Sequence, residues 1–221
     1  MPLITAGLEE SRRLLLAGQG LAQGRWTPPD MLEKLGFVQL DSINAVARAH
    51  ELTLHARLPD YRHESLFELL SQKRAFEHWT HDASLLPAAS WPYWSQRCRQ
   101  RGERILRSTW WRERMGPNSP LPLIVRRLEQ EGPLQSRDFA SEHKTSGGWW
   151  NWKPEKAALE YLWQSGQISV VGRRNFQKLY DLSSRHLGAP QPNPPEDWID
   201  WACQRALEGL GVATPAELAA Y

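Results

Sequence analysis

Gln39 and Asp41 stand two residues apart in the stretch Val38-Gln39-Leu40-Asp41. In an extended chain, alternate residues share a face and lie about 7 Å apart. The amide and the carboxylate would then project together while Val38 and Leu40 enter the core. A carboxylate so placed can take a proton from water or stabilise positive charge growing on a reacting group. The neighbouring amide can hold the water in line. Asp41 also has a second reading. It precedes residues 42–54, where Ile43, Val46, Ala47 and His50 predict one face of a helix, and aspartate is among the strongest helix N-caps. On the residues alone both readings stay open.

Other reactive side chains are sparse. The two cysteines, Cys98 and Cys203, are far apart and supply neither a disulfide framework nor a zinc cluster. The histidines are scattered without metal-ligand spacing, so no metal or cofactor is expected. The net charge of +2 with a pI near 8.6 says little about partners, but the local charge says more. Between Arg97 and Arg114 lie seven arginines (97, 99, 101, 104, 107, 112, 114) against Glu103 and Glu113, a surplus of five positive charges. Such a run can grip phosphates or form a solvated helix face. The twelve tryptophans are many for 221 residues. Trp149, Trp150 and Trp152 cluster between Gly148 and Pro154, where they could wall a base or pack a core. Trp79-Thr80-His81-Asp82 could line a pocket or pack a helix end. No apolar run approaches the roughly 18 residues of a membrane span, and residues 1–13 lack a secretory pattern, so a cytoplasmic protein is expected.

These residues must be positioned by a chain that reads as mainly helical with small β-hairpins. Residues 5–17 predict a helix, and Pro28 opens another that ends near Gly36. Residues 37–41 are extended, and residues 59–80 carry helical patterning. Residues 91–114 form a long basic helix, and the Gly116–Pro120 cluster marks a boundary. A helix over 121–130 follows, then a short one from Ser136 to about His143. A loop over 144–152 leads to a helix from Pro154 to Ser165. Residues 167–171 and 176–182 predict a hairpin around a Gly172–Asn175 turn. Three helices and a hairpin compose a winged helix-turn-helix. That would put Arg173 and Arg174 at the wing tip against phosphates, and Lys153 and Lys156 at the start of the recognition helix. Residues 188–195 read as a proline-rich linker, followed by a helix over 198–210 and a Thr214–Glu217 capping box. Three units are expected: 1–116 with the Gln-x-Asp motif and basic extension, 117–187 as a winged helix-turn-helix, and 188–221 as linker and start of a third.

Three segments resemble the AlkZ- and YcaQ-like family of bacterial winged-helix DNA glycosylases. The stretch Val38 to Asn44, with Val46-Ala47-Arg48, is similar to the family's Gln–apolar–Asp motif. The stretch Glu77 to Ala83 is similar to a Tyr-Trp-x-His-Glu-Ala segment, with His78 and Asp82 as departures. Gly147 to Pro154 and Arg173 to Leu182 form the third. The resemblance covers residues from about 8 to the end and implies the amino-terminal part of such a protein, an α+β array of tandem winged helices with the third unit incomplete. It implies hydrolysis of the N-glycosidic bond of N7-alkylated or crosslinked purines in duplex DNA. Asp41 would be the carboxylate and Gln39 would position water or substrate. Arg48, Lys153, Lys156, Arg173 and Arg174 would hold DNA, and Trp79, His81, Trp149 and Trp150 would line the lesion pocket. With no lysine in the motif, the resemblance implies a monofunctional glycosylase acting without cofactor, as a monomer, on the nucleoid. The alternative is a winged-helix DNA-binding protein or regulator that does not cut.

Overall fold

The structure is a computed structural model that describes residues 5–22, 24–139, 153–188 and 195–220. In chain order the elements are α1 (Leu8–Gly18), α2 (Pro28–Leu35), β1 (Val38–Gln39), α3 (Ala49–His55), α4 (Ser65–Ser71), β2 (Ala75–Trp79), β3 (Ala83–Pro87), α5 (Trp91–Arg107), α6 (Thr109–Met115), α7 (Leu121–Glu131), β4 (Leu134–Gln135), α8 (Pro154–Gln164), β5 (Ile168–Arg174), β6 (Gln177–Leu182), α9 (Ser183–His186), α10 (Trp198–Leu210) and α11 (Pro215–Ala220). The α+β class is as the sequence predicts. The described chain divides into two compact units, each built from segments distant in sequence. One unit comprises Met1–Leu66, Thr80–Pro87 and Pro195–Tyr221, and the other Phe67–Trp79 and Ala88–Pro194. The strand β3 joins the amino-terminal elements by pairing with β1, and α10, with α11 packed on it, joins them by packing on α1 and α2.

In the first unit α2 is fixed at both ends. Thr27 and Asp30 cap each other reciprocally, Pro28 and Pro29 fill the first helical positions, and Gly36 ends the helix at φ 76°. Its inner face buries Met31, Leu32 and Leu35. The helix packs on β3, which pairs antiparallel with β1 in the register Val38↔Leu85 and Gln39↔Ser84. The strand α2 leads into is thereby anchored through β3. The contact of α1 with α10 is made through backbone. A Cβ on Gly18 would stand 2.7 Å from Gly211 N and 3.0 Å from Gly209 O, and Gln19 Nε2 donates to Gly209 O at 2.5 Å.

Two helical expectations fail, one in each unit. Residues 42–48 are not helical, and α3 begins only at Ala49. The segment 75–79 is a strand with four consecutive buried residues, so it shows no alternation that would have marked it as one.

The second unit is built around α8, which buries Ala157, Ala158, Leu159, Tyr161, Leu162, Trp163 and Gln164. It packs against α5, α6, α7, β2 and β5. The strands run in the order β4-β6-β5, all antiparallel. The hairpin is longer than predicted. Strand β5 continues through Gly172, Arg173 and Arg174, with a register shift between Val170 and Gly172, and Arg174 pairs with Gln177. The turn is Asn175-Phe176, both at positive φ (50° and 64°), the two-residue geometry that follows the twist of paired strands. The basic helix is broken at Ser108, whose extended ψ of 122° separates α5 from α6. The short helix expected from Ser136 is a single 3-10 turn over Ser136–Phe139, and its continuation lies outside the described residues.

Candidate active site

Along residues 38–41 the burial alternates as the motif requires. Val38 and Leu40 are 2% and 6% exposed, Gln39 is exposed and Asp41 is half-buried. Leu40 N–H donates to Ala83 O at 2.8 Å, so the ladder with β3 extends to the residue before the acid. The amide and the carboxylate therefore leave the same side of a pinned strand.

Each is held by a group distant in sequence or beyond the strand. His81 Nε2 lies 3.1 Å from Gln39 Oε1, and its Nδ1 lies 3.3 Å from Thr80 Oγ1. Because the Gln39 oxygen only accepts, Nε2 donates to it. The amide nitrogen of Gln39 is thereby turned away from His81, with two N–H donors to offer. Phe37 packs edge-on against the His81 ring at 5.6 Å. Asp41 N–H donates to Nδ1 of His50 at 3.2 Å, and His50, in the first turn of α3, is 1% exposed. Asp41 Oδ1 accepts the Ile43 N–H at 2.8 Å. This is a local Asx turn and not a helix cap, since no helix begins at residue 42. Among the described residues no other group hydrogen-bonds the carboxylate, so Oδ2 can take a proton from water. A carboxylate with one oxygen tied and one open, beside an amide with open donors, can orient and deprotonate a water molecule.

The remaining predicted site residues divide sharply. Arg173 is not a wing-tip cation. Its side chain is 8% exposed, and it grips the buried Glu77 carboxylate through Nη2 at 2.7 and 2.8 Å and Nε at 3.0 Å. Nη1 donates to Phe176 O at 2.6 Å, so four of the five guanidinium N–H donors are turned inward. Lys178 completes the cluster 3.3 Å from Glu77 and 3.3 Å above the Trp163 ring. Arg174, one residue on, is exposed, as are Lys153 and Lys156 at the start of α8. Arg48 is largely covered, 18% exposed, and lies 3.6 Å from Glu51 at the head of α3, so its charge serves that helix. Trp79 packs against Trp163 at 6.5 Å beneath Arg101, inside the second unit. Trp149 and Trp150 lie outside the described residues.

The basic run is split by the same logic. Arg101 donates to Gln164 Oε1 at 2.6 Å, and its pKa is lowered by burial and by Arg97 and Arg104 beside it. Arg97 and Arg104 themselves are exposed on α5. Sequence reasoning missed His50 as the anchor of Asp41; a histidine nine residues beyond the acid was the only trace of it. Among the described residues no three of His, Cys, Asp and Glu gather as metal ligands, and no helix is long and apolar enough to cross a membrane. A cavity of about 420 Å³ in the first unit is lined by Leu14, Lys34, Gln204 and Leu207 among others, and includes neither Gln39, Asp41 nor His81.

Residues 32–221 match the family described as DNA glycosylase AlkZ-like. Among solved structures the chain is similar to the DNA glycosylase AlkZ of Streptomyces sahachiroi, with a TM-score of 0.63 at 18% identity. That match covers 96% of this chain and 59% of the Streptomyces protein.

Proposed function

The chain belongs to the AlkZ-like DNA glycosylase family, and on that premise we propose that it hydrolyses the N-glycosidic bond of N7-alkylated or crosslinked purines in duplex DNA. The observation that carries the reading is the pair Gln39 and Asp41, fixed side by side by His81, His50 and the Ile43 amide with Oδ2 of the acid left open. An N7-alkylated purine is cationic, so the base departs without protonation and little general acid is needed. What remains is to deliver water to C1′ and to stabilise positive charge on the sugar. Asp41 does both, and the Gln39 amide donors orient the water or the sugar oxygens. His81 keeps the amide in that orientation. None of the side chains that hold Gln39 and Asp41 is a lysine, which favours simple hydrolysis over a covalent lyase route.

Duplex binding falls to the second unit. The order α7, β4, a turn, α8, β5, β6, with the sheet β4-β6-β5, supports reading this unit as a winged helix. Because α8 is buried nearly all round from Ala157 onward, only its first turn can reach a groove. Lys153 and Lys156 stand there, and Arg174 stands beside the hairpin turn. One observation favours a protein that binds without cutting: the Asp41 oxygen occupied by Ile43 does the work of a turn residue.

Asp41→Asn separates the two. The amide can still accept the Ile43 N–H but cannot take a proton. With a duplex carrying N7-methylguanine, the wild-type chain releases free base, and the variant binds equally but releases it about 10² to 10⁴-fold more slowly. Equal release from both proteins, or none from the wild type, refutes the reading.

A further inference from the structure

The segment 42–48 leaves the Asp41 turn as an irregular loop, and its character does not suit a surface loop with no partner. Ile43 is 71% exposed and Val46 is 94% exposed. Single exposed apolar residues are ordinary. Here two β-branched ones stand three residues apart, in a stretch, Ser42 to Ala47, with no charge at all. Both ends of the loop are tied. Asp41 is held by His50 at one end, and at the other Arg48 N–H donates to Glu51 at 3.2 Å, at the start of α3. The loop is thus a short apolar projection on a fixed base. Branched side chains keep few rotamers, which lowers the entropy cost of inserting them into a tight site.

We infer that Ile43 and Val46 form a wedge that enters the base stack beside the damaged nucleotide when Asp41 approaches its sugar. The inference rests on the glycosylase reading above and adds how the site opens the duplex. The Ile43 amide is 2.8 Å from Asp41 Oδ1, so by covalent geometry its Cβ lies within about 5 Å of that oxygen. The stacking rise is about 3.4 Å per base. A carboxylate in reach of C1′ therefore brings the Ile43 side chain to the level of the next base step. A loop without charge forms no ion pair with phosphates, and the occupant that matches the exposed side chains of Ile43 and Val46 is the apolar face of a base. Apolar residues inserted between base steps unstack them and kink the duplex.

The test uses the whole chain, with Ile43→Ser/Val46→Ser as the variant and Ile43→Val/Val46→Ile as the apolar control. The duplex carries N7-methylguanine, with 2-aminopurine at the adjacent step to report unstacking. Both positions are exposed, so all three proteins should melt alike. The wild type and the control should raise 2-aminopurine fluorescence on binding. The serine variant should lose that rise and release base at least about tenfold more slowly, with the salt dependence of binding unchanged. A serine variant that matches the wild type in fluorescence and release, or a wild type that releases base without any fluorescence rise, overturns the wedge and leaves the glycosylase reading standing. A wild type that releases no base overturns both.

Discussion

Arg173 and Arg174 are adjacent in the chain and were equivalent in the sequence, yet their surroundings give them different work. Arg173 neutralises Glu77, a carboxylate 1% exposed in β2. Leaving such a charge wholly unpaired costs on the order of 3–5 kcal/mol, and removing Arg173 forfeits part of that because Lys178 still faces the carboxylate at 3.3 Å. Arg173→Ala should therefore lower the melting temperature steeply, and the salt dependence of DNA binding by the protein that remains folded should not change. Arg174 is exposed. Arg174→Ala should leave the melting temperature unchanged and reduce the slope of log K against log salt by about 0.9, as expected for one lost phosphate contact. Melting curves and a salt titration of both variants check the pair. The reverse pattern would return Arg173 to the DNA surface. Nothing in the dipeptide foretold this, because the partner of Arg173 is 96 residues away.

Among the elements, α2 was the most legible. Thr27, the two prolines, Asp30 and Gly36 name its start and stop, and every one of those signals is used. Thr27→Ala removes the reciprocal cap and should cost about 1 kcal/mol, read as a drop of about 2–4 °C in a thermal melt. Thr27→Ser should recover most of it. The effect belongs to the site as well as to the helix, since α2 runs directly into β1 and the Gln39 strand. The strand β2 was the least legible. Its Phe76 and Trp79 fall at a helical spacing, and Glu77 looks like a solvent-facing residue of an amphipathic helix. It is buried only because Arg173 and Lys178, from the β5–β6 hairpin, bring it two positive charges. The loop 42–48 misled in the opposite way. Its apolar residues have helical spacing, but Ile43 and Val46 face solvent and have no core to bury them.

At the scale of the molecule, the second unit carries a built-in acid sensitivity. His78 is 2% exposed and its pKa is pushed down to about 4, first by burial and then by Arg101 nearby. Its Nδ1 accepts Trp94 Nε1–H at 3.0 Å, and its Nε2 lies 3.2 Å from Gln164 O. A second proton would displace the tryptophan donor. Unfolded histidine takes up its proton near pH 6.5, so between about 6.5 and 4 the unfolded chain binds a proton that the folded chain refuses. Stability should thus be fully present above pH 6.5 and fall as the pH drops toward 4, by up to roughly 3 kcal/mol, then level off. Urea titrations across this range should show the slope in the wild type and a flatter profile in His78→Gln. An unchanged slope in the variant would assign the loss to other groups. Cys98, 3.3 Å from the same ring, has its pKa raised by burial to about 12 and stays a thiol.

The sequence by itself determined whatever is encoded over a few neighbouring residues. It set the alternation that puts Gln39 and Asp41 on one side, the capped helix α2, the proline-started helix α8, the β5–β6 hairpin, and the family motifs. The tertiary structure decided which polar groups meet. His81 reaches Gln39 across 42 residues, His50 folds back onto Asp41, and Arg173 goes to Glu77 and not to solvent. The division has a physical cause. Backbone propensity and capping are satisfied within one or two turns of chain, whereas a buried hydrogen bond or ion pair exists only once packing has excluded water and brought distant segments within about 3 Å.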